Sequence, residues 1–274
     1  MKLSILLTTY NSSRYLEQQL DSLIAQTFFE WNLYIRDDCS TDETLNIINT
    51  FCARDSRILS IPSNGTSLGA AKGFMYLLNK VESDYFMFCD HDDVWLTDKI
   101  EKTLAKMKSL ESSHDGPIVV HTDLFVVNHN LEIVSDSYWR TVGLKPAIIT
   151  KGDIIQVFNC VTGCTMMINK AAKLVSLPYN ERAPMHDWWI AIQTIRRGGI
   201  IRQVNESLIL YRQHDSNAVG AKEVNTGYYL KKIRNIKNTI QGNLERIRFL
   251  KEISGIGIGK YFYYKIYYNF VRKF

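Results

Sequence analysis

The chain has 274 residues, 46% of them hydrophobic and 22% charged, with 33 Lys and Arg against 28 Asp and Glu for a formal net charge of +5. These are the proportions of a globular protein with a full core, and they exclude a disordered chain and a low-complexity repeat. Stretches of about 18 uninterrupted apolar residues are missing, so the chain is not expected to cross a bilayer.

In chain order, KLSILLTTY (2–10) reads as a buried strand, and Ser12 or Ser13 offers a cap before Tyr15, Leu16, Leu20, Leu23 and Ile24 at helical spacing. WNLYIRDD (31–38) repeats the strand, and STDETLNIINTFCAR repeats the helix, with Ser40 or Thr41 ahead of Glu43 or Thr44 as its start signal. RILSIPSNG is a third strand, GAAKGFMYLLNKV a helix, DYFMFCD a fourth strand and TDKIEKTLAKMKSL a further helix. IVVHTDLFVVN (118–128) and VFNCVTGCTMMIN (157–169) are strand-like. PMHDWWIAIQTIRRGG is a helix opened after Pro184 and ended by Gly198 and Gly199, and two short strands around 200–211 close the body. Strands alternating with helices predict an α/β protein with a mostly parallel sheet and right-handed crossovers. The plausible linker is DSNAVGAKEVNTG (215–227), which separates a body, 1–220, from a tail, 221–274.

The tail differs from the body in charge. Residues 1–220 hold 21 basic against 25 acidic side chains, whereas 221–274 hold 12 against 3, and YFYYKIYYNFVRKF (261–274) includes eight Tyr or Phe. Cys39, Cys52, Cys89, Cys160 and Cys164 form no CxxC pair, which predicts free thiols in a reducing compartment. The opening MKLSILLTTYN reads as a first strand, too briefly apolar for a signal peptide.

In sheets of this kind ligands bind beyond the carboxyl ends of the strands. The acid-rich segments fall there, Asp37 and Asp38 after the second strand and Asp90-His91-Asp92-Asp93 after the fourth. Asp38 offers a carboxylate to a ligand's amide or hydroxyl groups, or simply caps its turn. A strand-end D-x-D suits a divalent cation that bridges a diphosphate, or reads as a solvated acidic turn; an EF-hand is disfavoured because Val94 and Trp95 stand where ligands and glycine belong. Asp187 in MHDWW opens a helix beside Trp188 and Trp189. It reads either as a general base with the tryptophans as a sugar platform, or as the cap of a Trp-rich core helix. Taken singly, His214 in YRQH reads as a packed or surface histidine and Lys72 as a solvated lysine. GIGIGK (255–260) lacks the spacing of a phosphate loop.

Taken together, TTYN, DDCSTD, DHDD, HDWW and YRQH in that order resemble a family 2 glycosyltransferase of the GT-A fold, and DHDDVWLTDK, NCVTGCTMMIN and MHDWW are similar to its bacterial rhamnosyltransferase-like branch. The resemblance covers roughly residues 1–220. It implies a Rossmann-like mixed sheet flanked by helices with a C-terminal helical extension. It also implies that Thr8, Thr9, Tyr10 and Asp38 hold the nucleotide, that Asp90 contacts the nucleotide sugar with Lys72 nearby, and that Asp92 binds Mn²⁺ or Mg²⁺ with His214 as a further ligand. Asp187 is then the base, with Trp188 and Trp189 on the acceptor side. Cys39 stands where glycine is frequent, which is tolerable if the turn needs no positive φ, and His186 stands where many relatives have an acid. The processive members' Gln-x-x-Arg-Trp motif is missing. The implied activity is therefore inverting, metal-dependent transfer of one sugar from a nucleotide-sugar donor, dTDP-rhamnose or a UDP-hexose, to a lipid-linked or oligosaccharide acceptor in cell-surface polysaccharide assembly. The basic aromatic tail fits a cytoplasmic protein on the anionic inner face of the plasma membrane, the alternative being that its helices pack on the body or on a second subunit. A nucleic-acid partner is disfavoured by the acidic body. The alternative is a non-catalytic nucleotide-sugar or carbohydrate-binding protein, which would need no base at Asp187.

Overall fold

The computed structural model describes residues 1–214 and 236–273. Its first half is three βα units and a closing strand: β1 (Leu3–Thr9), α1 (Leu16–Ile24), β2 (Trp31–Asp37), α2 (Thr44–Arg54), β3 (Ile58–Ser60), α3 (Ala70–Lys80) and β4 (Tyr85–Cys89). Next come β5 (Val94–Trp95), α4 (Lys99–Glu111), β6 (Ile118–Val127), β7 (Ile133–Ser135) and the short helices α5 (Tyr138–Thr141), α6 (Pro146–Ile149) and α7 (Ile154–Val157). A 3₁₀ turn (Gly163–Thr165) leads to β8 (Met167–Asn169), α8 (Lys170–Val175), α9 (His186–Arg196) and β9 (Ile200–Arg212). Two helices, α10 (Ile236–Ser254) and α11 (Ile258–Val271), follow the undescribed stretch.

The sheet runs β3-β2-β1-β4-β8-β6-β9-β5, with β7 paired to β6. Its first four strands are parallel, and β8 then enters antiparallel between β4 and β6. The sheet is thus mixed, and the expected parallel order holds for its first half. Strand periodicity sorts the core into two layers. Leu3, Ile5 and Leu7 of β1 and Met87 and Cys89 of β4 face a layer with Leu16, Leu20, Ile48, Phe51, Ile100 and Leu104 from α1, α2 and α4. Leu6, Phe86 and Phe88 face the opposite layer, which holds Phe74, Leu77 and Leu78 of α3 and Ile190 and Ile192 of α9. That second layer also takes in Leu250, Ile253 and Ile256 of the C-terminal segment with Tyr261 and Tyr268. The described part of the tail therefore shares a core with the body; the linker 215–227 and the boundary at 220 lie outside the described residues. Among the described residues no helix is long and apolar enough to cross a membrane.

Four local expectations are corrected. Ser12 and Ser13 do not cap α1 with their side chains. The Ser12 carbonyl instead accepts from the Tyr15 and Leu16 N–H groups at 3.0 Å, and the Ser12 and Ser13 amides turn toward Thr44 and Asp42. Ser40 and Thr41 are likewise drawn away from α2, whose Thr44 N–H is accepted by Asp42 at 3.1 Å. The segment 157–169 is strand only at Met167–Asn169, because Asn159 and Gly163 ahead of it are turned to hydrogen-bond Asp187. The two strands expected around 200–211 are one strand of 13 residues. Its pairing with β6 shifts register near Asp123, and its polar middle, Asn205 and Glu206, faces solvent rather than turning.

The turn between α9 and β9 is the tightest backbone approach. A Cβ on Gly199 would stand 2.4 Å from the Pro117 carbonyl oxygen and 2.8 Å from the Thr194 methyl. Gly199→Ala is expected to cost about 1–3 kcal/mol and to lower the melting midpoint by several degrees; an unchanged thermal melt would contradict this packing.

Candidate active site

The loops after β1 and β2 brace one another above the sheet. Thr9 donates to Asp37 at 2.9 Å, and Ser40 donates to the same carboxylate from its amide at 2.8 Å and its hydroxyl at 2.6 Å. The Asn11 N–H reaches the Ser40 hydroxyl at 2.9 Å, and the Asn11 side-chain oxygen accepts from the Thr41 N–H at 2.8 Å. The turn needs left-handed backbone at two places, Asn11 with φ 46° and Cys39 with φ 68°. Asparagine tolerates that region, whereas cysteine is strained in it, so the condition under which Cys39 was to be harmless is not met.

Asp38 receives hydrogen bonds from Arg36, from the Ser67 hydroxyl at 2.7 Å, and from the Leu68 and Gly69 amides at 2.7 and 2.8 Å. Burial pushes its pKa up, but the bonds from Leu68, Arg36, Ser67 and Gly69 outweigh it and hold the carboxyl at about 2. A carboxylate has about four acceptor positions. All four donors here come from the protein, so in this arrangement Asp38 shapes the cleft by fixing the loop before α3, and a nucleotide would have to replace one of them. Thr8 is buried beneath, where Gly73 allows α3 to lie against β1, since a Cβ there would meet the Thr8 methyl at 2.9 Å. Tyr10 is exposed at the mouth.

The acids after β4 are held by the end of β9. The pairs Val94↔Leu210 and Trp95↔Ile209 zip β5 onto β9, which ends at Arg212 and leads two residues on to His214 beside the acid loop. The Arg212 amide donates to Asp93 at 3.2 Å, and its guanidinium reaches the Asp92 carbonyl at 2.9 Å, the His129 carbonyl at 2.7 Å and the Gln18 side chain at 2.7 Å. His214 Nε2 lies 2.9 Å from Asp92 Oδ2. Tyr15 stacks on the His214 ring at 5.1 Å and under the Arg212 guanidinium at 4.5 Å. Burial, then the charges of Asp92 and Asp187, push Asp90 up, while burial with Asp92 and Asp90 pushes the enclosed Asp93 far above the carboxylate range.

The ligating atoms of Asp90, Asp93 and Cys164 lie within 4.8 Å of one another. Burial is the first cause that pushes both the Cys164 thiol and the Asp93 carboxyl far up, which favours their protonated forms and makes them the weaker partners for a hard cation. Asp90 and Asp92, at the cleft, are the better donors. A divalent ion there fits the acid set, because it would relieve the repulsion that raises Asp90.

Asp187 sits in the first turn of α9. Its carboxylate accepts from the Gly163 N–H at 3.0 Å, from the Asn159 side chain at 3.1 Å and from the Trp188 N–H. Burial nevertheless dominates and lifts it to about 7. His186, against Phe74 at 4.4 Å and Phe88 at 5.3 Å, is pushed down by burial to about 3 and is neutral.

A cleft of about 1590 Å³ joins these elements. Of the residues expected in the site, Thr8, Thr9, Tyr10, Asp38, Asp90, Asp92, Asp187 and His214 line it. Three do not. Lys72 pairs with Glu181 at 2.6 Å on the exposed flank of α3. Trp188 and Trp189 are only 5% and 7% exposed, and their indole N–H groups are spent on the Ile155 and Ser176 carbonyls at 2.9 and 2.7 Å. They anchor α9 in the core and offer no sugar platform. Sequence reasoning had assigned no role to Tyr15, Asn159 or Arg212. Arg212 and Asn159 did stand inside quoted motifs, YRQH and NCVTGC, so a signal existed; Tyr15 carried only helical spacing.

A parallel sheet half with a strand-end acid cluster, closed by an antiparallel strand and facing a carboxylate at a helix start, defines a glycosyltransferase of the GT-A architecture. The sequence model of glycosyl transferase family 2 matches residues 4–174, and the chain belongs to that family. It is 30% identical to the dTDP-rhamnosyl transferase RfbG of Shigella flexneri over 227 residues, 78% of this chain and 74% of that one. It is 27% identical to the UDP-Glc:alpha-D-GlcNAc-diphosphoundecaprenol beta-1,3-glucosyltransferase WfaP of Escherichia coli over 211 residues, 77% of each. Among solved structures, TarS 1–349 of S. aureus in complex with UDP-GlcNAc superposes with a TM-score of 0.60 at 20% identity over 94% of this chain and 74% of that chain. A longer TarS chain is matched over 37% of its length, covering 78% of this chain, with a TM-score of 0.61 and 21% identity. The mannosyltransferase PcManGT of Pyrobaculum calidifontis, in complex with GDP-Man and Mn²⁺, gives 0.58 at 14% identity, covering 90% of this chain and 64% of that one.

The strain at Cys39 is removable. Cys39→Gly is expected to stabilise the protein by about 1–2 kcal/mol, read as a higher melting midpoint; a lower midpoint would show that the thiol's contacts outweigh the backbone strain.

Proposed function

We propose that the protein is an inverting, metal-dependent transferase that moves one sugar from a nucleotide-sugar donor to a hydroxyl of a lipid-linked oligosaccharide in cell-surface polysaccharide biosynthesis. The observation that carries the reading is Asp187, a buried carboxylate lifted to about 7 in the same cleft as the acid cluster. A carboxyl group in that range is a serviceable base at neutral pH, both ionised and basic enough to take a hydroxyl proton. dTDP-rhamnose is the favoured donor on the strength of the relative named as a dTDP-rhamnosyl transferase, with a UDP-hexose next because WfaP is named for UDP-Glc. The name of WfaP, which includes a diphosphoundecaprenol, also supports a lipid-linked acceptor, and with it a place for this protein at the inner face of the plasma membrane.

Mn²⁺ or Mg²⁺, held by Asp92 with His214 and with Asp90 beside them, would supply Lewis-acid stabilisation of charge on the departing diphosphate. The chain's own residues do the rest. The hydrogen bonds from Gly163 and Asn159 hold the Asp187 carboxylate in one orientation at the cleft, where an acceptor hydroxyl would meet it. The acceptor oxygen forms a bond to the anomeric carbon as that carbon's bond to the diphosphate oxygen breaks, and the hydroxyl proton passes to Asp187. One displacement with one base gives inversion. The Arg212 contacts to Asp93 and to the Asp92 carbonyl keep the acid loop from rearranging during this exchange.

Asp187→Asn is expected to leave donor binding intact and to lower kcat about 10²–10⁴-fold; turnover within a few-fold of the parent would remove Asp187 from the mechanism. In the parent, kcat rises with pH as Asp187 loses its proton, with an apparent pKa near 7 rather than in the ordinary carboxylate range. A rate–pH profile flat between pH about 5 and 8 would contradict that assignment. Calorimetric titration of dTDP-rhamnose and UDP-glucose is expected to show binding that chelator and Asp92→Ala both abolish; equal binding with and without chelator would overturn the metal role.

A further inference from the structure

The helix α11 is apolar on two sides, and the body covers only one of them. Tyr261 and Tyr268 are fully buried, while Ile258, Phe262, Tyr263, Ile266 and Tyr267 on the other side are between 41% and 71% exposed. At about 100° per residue these five spread over the half of the helix turned away from Tyr261 and Tyr268, with Tyr263 and Tyr267 stacked at 6.1 Å. A helix that is apolar all round is normally enclosed, and an exposed aromatic stripe of this size marks an interaction surface. Nothing among the described residues covers it.

Charge selects the occupant. Residues 236–273 hold 8 Lys and Arg against 2 Asp and Glu, and one of those acids, Glu252, is already paired to Arg182. Even with Lys260 paired to Asp153, two copies of so basic a segment repel, whereas an anionic lipid surface attracts it, and Tyr and Phe beside Lys and Arg suit the headgroup level. At 14 residues α11 is about 21 Å long, too short to span a hydrocarbon core of about 30 Å, so the fitting geometry is a helix lying in the plane of the interface.

The inner side of the same helix holds the wall of the cleft. The Lys145 N–H donates to the Tyr268 hydroxyl at 3.1 Å, Phe158 packs on the Tyr268 ring at 4.6 Å, and Lys260 pairs with Asp153 at 2.6 Å. Leu144 and Asn159, immediate neighbours of those contacts, line the cleft, and Asn159 is the residue that orients Asp187. We propose that the outward face of α11 docks on an anionic bilayer and, through its inward face, fixes the acceptor side of the cleft against that bilayer.

The test is sedimentation of the full chain with vesicles of phosphatidylcholine alone or mixed with phosphatidylglycerol, at low and high salt. Binding to the anionic vesicles that weakens with salt is expected, and Phe262→Asp with Ile266→Asp should lower it about tenfold or more without moving the melting midpoint. Vesicle affinity equal in parent and variant overturns the proposal. So does a parent dimer that the two substitutions dissociate, which would make a second copy the occupant. A large fall in the variant's melting midpoint with vesicle binding unchanged overturns it too, since the face would then be packed within the protein. In a second arm, which rests on the transferase reading, the variant should lose turnover on a lipid-linked acceptor in vesicles and keep it on a water-soluble acceptor. Vesicle binding needs no turnover, so a failure of the transferase reading silences only the second arm, while a failure of docking shows in the first.

Discussion

Three carboxylates within four residues at the end of one strand are the constraint around which the rest is arranged. Crowded acids repel, and burying them in a low dielectric makes the repulsion worse, so each must be neutralised, bonded or left facing a ligand. The structure uses all three means. Asp93 is enclosed, its pKa pushed far up, with the Arg212 amide as donor; Asp92 faces His214; Asp90 is left at the cleft. Each device depends on β9 arriving beside β5, so the longest strand in the sheet, the furthest in sequence from the acids, is what makes the acid loop tenable. The Tyr15 ring, which sandwiches Arg212 and His214 from the start of α1, ties this arrangement back to the first βα unit.

The same logic explains the tryptophans. A base has to be held to within a fraction of an ångström, and the start of a helix is a mobile place unless the helix is pinned. Trp188 and Trp189 bury most of their surface and spend both indole N–H groups on carbonyls of neighbouring segments, so the turn that carries Asp187 cannot tilt without breaking them. Two residues that look like a sugar platform in sequence serve the site through packing instead.

How much of this was legible in the sequence follows from which signals are local. Strand and helix alternation through Lys80 is written in apolar periodicity, and the acid clusters could be placed at strand ends because open α/β sheets put their loops there. The caps of α1 and α2 were misread because Ser12, Ser13 and Ser40 obey a local preference that long-range partners, Thr44, Asp42 and Asp37, override. Cys39 could not be called strained before its φ was known. The outward face of the tryptophans was assumed from their chemistry, and nothing in MHDWW encodes which side of α9 meets the core when nearly the whole helix is buried. Lys72 failed in the opposite way: its helix was placed correctly, but the side of the helix it occupies looks toward Glu181.

The value near 7 at Asp187 is a balance, and its two sides come from different parts of the fold. Burial pushes the carboxyl upward, and with nothing to oppose it the group would stay protonated at neutral pH and be useless as a base. The N–H groups of Gly163 and Trp188 and the side chain of Asn159 oppose it by favouring the charged form. Two of those three donors belong to the segment 157–169, which gives up strand geometry to supply them. Gly163 is there because a side chain would collide with His186, whose Nε2 would lie 2.8 Å from an added Cβ. His186, kept neutral by its aromatic surroundings, adds no positive charge beside the base. A cation at that position would pull Asp187 down toward ordinary carboxylate strength and weaken it as a proton acceptor. The uncharged imidazole is therefore part of how the carboxyl of Asp187, the proposed base, is tuned, and the irregular loop opposite it is the other part.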